Sequence, residues 1–173
     1  MEPMSEDRSA EFRAAMRAFA STVTIISTSD GHRHHGMTAT SVTSLSMDPP
    51  SLLICVNQNS LLHEIMFQAR HFVVNVLQGG QEHIAAAFGG KASPAERFAC
   101  GAWEFDEGSM PYLKEAQSIM LCRKAAAIPY GTHTILVGVV ETVRRTAGAQ
   151  PLVYSDGGYC SLENAPERSA THA

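Results

Sequence analysis

THTILVGVVETVRR, residues 132–145, has the composition of a long β-strand, because β-branched and apolar side chains dominate its centre. A second extended stretch, residues 118–128, precedes it, and Pro129-Tyr130-Gly131 joins the two. Proline and glycine are typical of turns, so the chain is expected to reverse direction there. The sequence therefore predicts two long, locally paired strands, followed by a short strand over residues 151–154.

Shorter strands are predicted upstream of this pair. Residues 22–28 are almost all β-branched and end before Asp30-Gly31, a strong hairpin signal, after which residues 33–40 form a second extended run. Asp48-Pro49-Pro50 ends that region, because proline cannot donate a hydrogen bond to a sheet. Two further apolar strands are predicted over residues 51–56 and 72–77.

Three helices are predicted around these strands. Over residues 7–20 apolar side chains recur at helical spacing, with Asp7 as the N-cap. Ser60 can cap a short helix after the first of the two apolar strands. A third helix is expected over residues 81–88, closed by a glycine pair, whereas residues 91–97 are expected to form a loop or one short helical turn.

The balance of elements, about six or seven strands against three helices, favours a mainly β protein with peripheral helices. The sequence lacks the regular strand–helix alternation and the G-x-G-x-x-G turn of a doubly wound dinucleotide-binding sheet. We therefore expect a closed antiparallel barrel. The 173 residues suffice for a single domain, assigned to residues 1–162, and the small, polar stretch 163–173 is expected to be a disordered tail.

Composition excludes several classes of function. The chain has 13 Lys and Arg against 17 Asp and Glu, and it lacks the cationic field that nucleic acids or anionic membranes require, so neither is an expected partner. Apolar runs fall short of the roughly 18 residues that cross a bilayer, and the acidic start has no apolar core, so a cytoplasmic protein is expected. The four irregularly spaced cysteines are expected to be buried thiols.

Polar side chains gather at two predicted strand ends. Residues 38–46 carry six hydroxyl groups in nine positions, and together with free backbone N–H groups they could hold a phosphate or the polar edge of a heteroaromatic ring. The alternative is a threonine-rich strand with ordinary side-chain turns. Residues 57–60 precede a helix start, where unpaired N–H donors attract an anion, although Ser60 could simply cap that helix.

Histidine suggests two kinds of site. Eight histidines are present, but none shows the spacing of metal ligands, so no metal is expected. The run His32-Arg33-His34-His35 follows a predicted turn and is interpreted as a solvated hairpin arm. His133 stands at the entrance of the long strand, where an imidazole can face a cleft as a donor or cation near neutral pH. An ordinary strand-end histidine is the alternative.

An ordered set of residues carries a resemblance to a known family. The set consists of Phe12, 19–26 (FASTVTII), Asp30-Gly31, 36–41 (GMTATS), Asp48-Pro49-Pro50, Asn57, Ser60, 72–77 (FVVNVL), Phe88, Arg97-Phe98, Gly131-Thr132-His133, 151–154 (PLVY) and Tyr159. It resembles the short-chain flavin reductases, the reductase components of two-component flavin-dependent monooxygenases. The resemblance spans nearly the whole chain, and its strength lies in the order, because no single motif is diagnostic.

The resemblance implies an antiparallel split β-barrel of the FMN-binding type, assembled as a homodimer with a flavin site in each subunit near the shared interface. It implies hydride transfer from NADH to FMN, or to FAD, and release of reduced flavin to a separate monooxygenase. Carried over by position, the residues that would hold the flavin ring, ribityl chain and phosphate are Thr38, Ala39, Thr40, Ser41, Asn57, Gln58 and Ser60. Phe88 and Gly89 would close the flavin pocket, and His133 would be the catalytic residue on the nicotinamide side, where Tyr159 would be a cofactor-binding residue.

One departure from the family bears on the nucleotide. Many members have Gly-Asp-His where this chain has Gly131-Thr132-His133, so a carboxylate that can bind a ribose 2′-hydroxyl and repel a 2′-phosphate is absent. NADH is the expected donor, with NADPH as the alternative. Two other functions stay open on the sequence: a flavin-binding module without nicotinamide-dependent turnover, and an FMN-relay reductase of another acceptor, such as a corrinoid.

Overall fold

The computed structural model describes residues 6–90, 92–160 and 162. Its strands are β1 (Ser21–Thr22), β2 (Thr24–Ser29), β3 (His34–Ala39), β4 (Val42–Met47), β5 (Pro50–Asn57), β6 (His71–Val76), β7 (Trp103–Phe105), β8 (Pro111–Leu113), β9 (Ser118–Tyr130), β10 (His133–Arg145), β11 (Val153–Ser155) and β12 (Gly158–Cys160). Its helices are α1 (Glu6–Arg17), α2 (Leu61–Gln68), α3 (Glu82–Gly89) and α4 (Pro94–Phe98). The described part of the chain is therefore mainly β, as the sequence predicts.

One sheet of seven strands forms the body of the protein, in the order β3-β2-β6-β9-β10-β5-β4 with every neighbouring pair antiparallel. The two edge strands, β3 and β4, are consecutive in the chain and are joined through Thr40 and Ser41. The Cys55 N–H donates to the Ser41 carbonyl at 3.3 Å, and Val42 pairs with Ile54. The sheet therefore curls until its two edges meet at this bend, which makes it a barrel.

Two apolar cores lie on opposite faces of the sheet. The barrel interior is filled by Ile26, Ala39, Leu52, Ile54, Val56, Leu62, Met66, Phe72, Val74, Cys122 and Leu136. The outer core, which involves α3 and the β7–β8 hairpin, consists of Val23, Ile25, Leu77, Ile84, Ala85, Phe88, Leu113, Ala116 and Leu152. Because neighbouring side chains of a strand point to opposite faces, Ile26 lines the interior and Ile25 the outer core. Strand β2 is consequently buried on both faces.

The pair of long strands predicted from the sequence is confirmed. β9 and β10 are 13 residues each and pair antiparallel over nearly their whole length. Gly131 and Thr132 form the turn between them, and Gly131 has a φ of 56°, a left-handed conformation that glycine adopts without steric cost. This turn fixes the position of His133, the first residue of β10.

The sequence pattern misses several short elements, β4, the β7–β8 hairpin and β12, whereas the five-residue helix α4 agrees with the short helical turn expected over residues 91–97. A strand of three residues contains too little alternation for a pattern to detect. The assignment of Asp7 as an N-cap is wrong, because α1 already includes Glu6. The expectation of four buried thiols is also wrong: Cys122 is buried and Cys55 and Cys100 are half-buried, but Cys160 is exposed.

Three further expectations from the sequence concern membrane spans, metal sites and the extent of the domain. Among the described residues, no helix has both the length and the apolar character that crossing a membrane demands. Within the same ranges, His, Cys, Asp and Glu side chains do not converge in any group of three that could hold a metal ion. Residues 163–173 lie outside the described part of the chain, so a domain over residues 1–162 with a disordered tail stays a prediction.

Candidate functional site

A groove opens at the end of β3, between that strand, the end of α3 and the β11–β12 hairpin. Its volume is about 240 Å³, and its lining residues are Val23, Thr38, Ala39, Thr40, Gly89, Tyr154 and Tyr159. Most of these residues are ones that the sequence assigns to a cofactor site. The lining residues come from four separate segments of the chain, and the fold brings them together.

Thr38 and Gly89 form the wall of the groove where β3 meets α3. The Thr38 hydroxyl donates to the Ala85 carbonyl at 2.6 Å, which ties the strand to the helix. A Cβ atom added to Gly89 would lie 3.7 Å from the Thr38 side chain, on the groove side of the helix end. The hydrogen of Gly89 therefore leaves space beside Thr38, as a flat ring lying against this wall would require.

The two polar strand ends predicted from the sequence lie side by side. The Ser41 hydroxyl donates to the Cys55 carbonyl at 3.2 Å, and the Cys55 N–H donates back to the Ser41 carbonyl at 3.3 Å. Cys55 is two residues from Asn57, the last residue of β5. The hydroxyl-rich bend after β3 and the amide-rich segment after β5 are therefore neighbours, although 14 residues separate Ser41 from Cys55 in the chain.

Residues 57–60 form a compact turn that begins α2. The Ser60 hydroxyl accepts from the His63 N–H at 3.2 Å and donates to the Asn57 carbonyl at 2.7 Å, and the Asn57 side chain accepts from the Asn59 N–H at 2.8 Å. The interpretation of Ser60 as a helix cap is confirmed. Because the hydroxyl and the His63 N–H are already engaged, the groups left for an anion are the N–H groups of Leu61 and Leu62 at the start of α2.

Gln58 connects this turn to His133. Its side-chain amide donates to the His133 carbonyl at 3.0 Å, and its backbone N–H donates to the Thr132 carbonyl at 3.0 Å. The Thr132 hydroxyl lies 2.9 Å from Nδ1 of the exposed His133 ring, so it orients the imidazole without a carboxylate. Where an aspartate before the histidine would give the ring a charged contact, Thr132 gives it a neutral one.

Phe88 supports the groove from beneath. The side chain is only 1% exposed, and its ring packs against Phe98 and Trp103 with centroids 5.3 and 5.0 Å away. A Cβ at Gly36 would come within 2.6 Å of the Phe88 ring, so β3 rests directly on it. Phe88 itself is not among the lining residues of the groove, and the closing of a flavin pocket by this side chain stays a prediction.

Tyr159 forms the far side of the groove. Its ring meets that of Tyr154 edge to face, with centroids 5.4 Å apart. Burial raises the pKa of the Tyr159 phenol, and Tyr154 and Glu82 raise it further, so the group stays neutral and able to donate at physiological pH. Tyr154 belongs to this wall as well, a role that its place in an apolar strand segment did not indicate.

A buried contact between His35 and Arg97 is missed by sequence reasoning. Arg97 Nη1 donates to the Gly36 carbonyl at 2.9 Å and lies 3.1 Å from Nε2 of His35, whose Nδ1 has no hydrogen-bond partner among the described residues. Desolvation, followed by the nearby Arg97 and His34, lowers the pKa of His35 from 6.5 to about 4. The interpretation of residues 32–35 as a solvated arm is therefore wrong for His35, which is 6% exposed because Arg97 covers the edge of β3.

Comparison with known proteins places this geometry in context. Residues 16–163 match the family model described as "Flavin reductase like domain". The chain is 44% identical over 156 residues to the reductase component of the FADH(2)-dependent resorcinol hydroxylase of Rhizobium sp. (strain MTP-10005), covering 89% of this chain and 87% of that protein. It is 36% identical over 151 residues to the FMN reductase (NADH) RutF of Pseudomonas syringae pv. syringae (strain B728a), covering 87% of this chain and 85% of that protein.

A solved structure extends the comparison to three dimensions. The Streptomyces globisporus C-1027 NADH:FAD oxidoreductase SgcE6, in complex with NAD and FAD fragments, superposes with a TM-score of 0.85. The two sequences are 28% identical, and the alignment covers 98% of this chain and 100% of that one. The arrangement of strands described above is therefore shared along essentially the full chain.

Proposed function

The chain belongs to the flavin reductase-like domain family, and from this premise we infer that it is an NAD(P)H-dependent flavin reductase. It transfers a hydride from a nicotinamide nucleotide to a flavin and supplies the reduced flavin to a separate monooxygenase. The Rhizobium relative is named as the reductase component of such a hydroxylase. The family and the split-barrel fold predicted from the sequence are both confirmed.

The observation that carries this function is the meeting of the groove with the two polar strand ends. Thr40 lies between β3 and β4, outside the regular strand pairing, so its N–H and hydroxyl are available to the polar edge of a flavin ring. Thr38, Ala39 and Ser41 flank it on the same bend. When bound, the flavin supplies the hydride acceptor, and the protein contributes binding and orientation. FMN is the proposed flavin, with FAD as the alternative.

The phosphate end of the flavin is assigned to the start of α2. The first-turn N–H groups of an eight-residue helix and its partial positive charge favour an anion there. Asn57 and Gln58 present amide groups beside this turn, and Ser60 keeps the helix start in place through its cap. The proposed role of Ser60 is therefore to shape the anion site, since its hydroxyl is already satisfied.

His133 is assigned to the nicotinamide side of the flavin. Its ring is exposed, its carbonyl accepts from Gln58 and its Nδ1 lies against the Thr132 hydroxyl, so among the described residues Nε2 is left without a partner. In this role the imidazole binds and orients the nicotinamide and moves no proton. Orientation of two reacting rings can lower a barrier by roughly 7–11 kcal/mol, so a reductase does not need an acid or base here.

NADH is the proposed nucleotide. The Pseudomonas syringae and Streptomyces globisporus relatives are both named as NADH enzymes. In this chain the neutral Thr132 neither binds a ribose 2′-hydroxyl as a carboxylate would nor repels a 2′-phosphate. We therefore expect a preference for NADH that is weaker than that of members with aspartate at this position, with NADPH used at a measurable rate.

We also infer a homodimer, from an apolar surface on the outside of the barrel. Leu136 lines the barrel interior, so its neighbour Ile135 points outward, and Ile128 lies directly opposite Ile135 on β9. Ile128 is 52% exposed. Tyr130, two residues from Ile128 on β9, shares this outward direction and is 69% exposed. A contiguous apolar surface of this kind is typical of an interface, and His133 lies at its edge.

The test is to mix the purified protein with NADH and excess FMN and follow the loss of nicotinamide absorbance. We expect turnover with NADH and slower turnover with NADPH. Absence of turnover with both nucleotides, using either FMN or FAD, would remove the proposed function. Tight retention of FMN without nicotinamide oxidation would instead identify a flavin-carrying module.

A further inference from the structure

The guanidinium of Arg97 joins the two segments that form one wall of the groove. Nη1 donates to the Gly36 carbonyl on β3, and Nη2 donates to the Gly90 carbonyl just after α3, each at 2.9 Å. The wall itself consists of Thr38 and Gly89. Gly36 lies two residues before Thr38, and Gly90 directly follows Gly89. A single side chain therefore bridges the strand and the helix end beside the groove.

Two further contacts complete the hydrogen bonding of this guanidinium. Nε donates to the Ala92 carbonyl at 2.9 Å, and Nη1 lies 3.1 Å from Nε2 of His35. Because arginine has no acceptor, Nε2 of the imidazole must accept, so the His35 ring is neutral and carries its proton on Nδ1. Three carbonyls and one ring nitrogen thus surround the side chain. We call these four contacts the Arg97 latch.

The Arg97 latch contains no carboxylate. Among the described residues Arg97 forms no ion pair, and the carboxylate of the adjacent Glu96 instead accepts from the N–H and the hydroxyl of Ser93, both at 2.7 Å. This capping box fixes the first turn of α4. A carboxylate partner would hold only another side chain, whereas carbonyls belong to the main chain. The latch therefore fixes the backbone of β3 relative to the backbone of the segment after α3.

The segment between α3 and α4 depends on this side chain. α4 itself is anchored in the outer core, where the ring of Phe98 packs edge to face on that of Phe88 with centroids 5.3 Å apart. Within the described ranges, the carbonyls of Gly90 and Ala92 receive side-chain hydrogen bonds from Arg97 alone. Loss of the latch should therefore loosen the segment next to the groove while α4 stays packed.

We propose that Arg97 is a positioning residue for the flavin, because its latch sets the distance between Thr38 and Gly89. Arg97 is not among the lining residues of the groove, so it acts on the ligand only through this wall. The inference rests on the proposed function, which assigns the flavin ring to the groove, and it adds a residue that controls flavin affinity from outside the site. The planar fork is essential, because a lysine ammonium is a single point charge and cannot span the same carbonyls.

Fluorescence titration with FMN, combined with steady-state kinetics, tests this role. Arg97→Gln removes the fork and should raise the FMN Kd about tenfold, while kcat at saturating FMN stays within about twofold because the nicotinamide side is unchanged. Arg97→Lys keeps the charge without the fork, and it should still raise the Kd about threefold or more. Millimolar guanidinium chloride, far below denaturing concentrations, should restore FMN affinity in Arg97→Ala.

Val74→Ala is the matched control for a general loss of stability. Val74 is fully buried in the barrel interior and is not part of the groove. This variant should lower the urea midpoint, leave the FMN Kd within about twofold and show no response to millimolar guanidinium. If Val74→Ala raises the Kd as much as Arg97→Gln at an equal shift of the midpoint, the effect is one of stability, and the inference is overturned.

The remaining outcomes separate this inference from the proposed function. If wild type turns over FMN with NADH but the FMN Kd is unchanged in Arg97→Gln, the inference is overturned while the reductase function stands. If Arg97→Gln does not fold, wild-type affinity in Arg97→Lys overturns the inference in the same way. If wild type binds FMN but oxidises neither nucleotide, the proposed function fails, and the binding titration alone decides the role of Arg97. A wild type that binds no FMN overturns both.

Discussion

The outer surface of the barrel has two halves that differ in what lies over them. Over β3, β2 and β6, the helices α3 and α4 and the β7–β8 hairpin bury Ile25 and Phe88 in the outer core. Over the end of β9 and over β10, β5 and β4, the outward side chains remain open, and Ile128 and Tyr130 are 52% and 69% exposed. We call these the covered half and the bare half. Both halves carry apolar side chains, but the chain supplies a cover for only one.

The proposed flavin site lies where the covered half meets the bare half. The bend at Thr40 and Ser41 joins β3, on the covered half, to β4, on the bare half. The proposed flavin site therefore lies between a rigid, packed wall and a surface that is available to another molecule. A flavin reductase must orient the flavin and then release it. A packed wall serves the first step, and an open surface serves the second. The comparison between the two halves can be tested by experiment, beginning with the largest expected effect.

The packing of the covered half should dominate stability. Phe88→Ala removes a ring that is 1% exposed and leaves a cavity under β3, which should lower the free energy of unfolding by about 3–5 kcal/mol. Phe67→Ala is the matched control, because Phe67 is 75% exposed and its loss should cost less than about 0.5 kcal/mol. Urea denaturation measures both. Equal losses in the two variants would contradict the assignment of Phe88 to the packed core of the covered half.

The bare half should govern association. Ile128→Glu places a charge on the proposed interface and should weaken the dimer by about 2–3 kcal/mol, a roughly 30- to 150-fold rise in the dissociation constant. Phe67→Glu, on α2 and outside the bare half, should leave it unchanged. Sedimentation equilibrium reports the constant. A wild-type protein that stays monomeric at high concentration would show that the bare half is not an interface between copies of this chain.

His133, at the edge of the bare half, should affect turnover and not flavin binding. His133→Ala should lower kcat/KM for NADH about tenfold, or about 1.4 kcal/mol, and leave the flavin Kd within about twofold. His32→Ala is the control, since His32 is exposed and has no contact with the groove. Stopped-flow reduction and flavin titration separate the two quantities. A parallel loss of both would assign His133 to the flavin or to structure.

The smallest effect is expected at the edge of the covered half. The pKa of His35 is about 4 in the folded protein, below its ordinary 6.5, so the unfolded chain takes up the proton first as pH falls. The free energy of unfolding should therefore decline from about pH 6.5 to pH 4, by on the order of 1 kcal/mol beyond other groups. His35→Gln should remove this part of the decline in urea titrations at pH 7.5, 6 and 5. A variant that follows wild type at every pH would show that His35 is not its source.

Local patterns were sufficient for much of the fold. The β-branched run in β2, the apolar runs in β5 and β6 and the long strands β9 and β10 each reveal themselves through composition over six or more residues. Gly131 indicated the turn through its backbone freedom. The groove residues Thr38, Ala39, Thr40, Gly89 and Tyr159 were found through the family resemblance, and their convergence is a feature of the structure.

The sequence by itself determined which segments are strands and helices, because side-chain branching, periodicity and turn residues act over a few neighbouring positions. Tertiary structure alone decided that Ser41 bonds to Cys55, that Arg97 covers Gly36 and His35, and that Phe88 is drawn into the outer core. The hydrogen-bonded contacts among them join residues 14 to 62 positions apart, and only the tertiary fold brings such partners within hydrogen-bond distance. For the same reason, the bare half could be recognised only once the direction of each side chain was known.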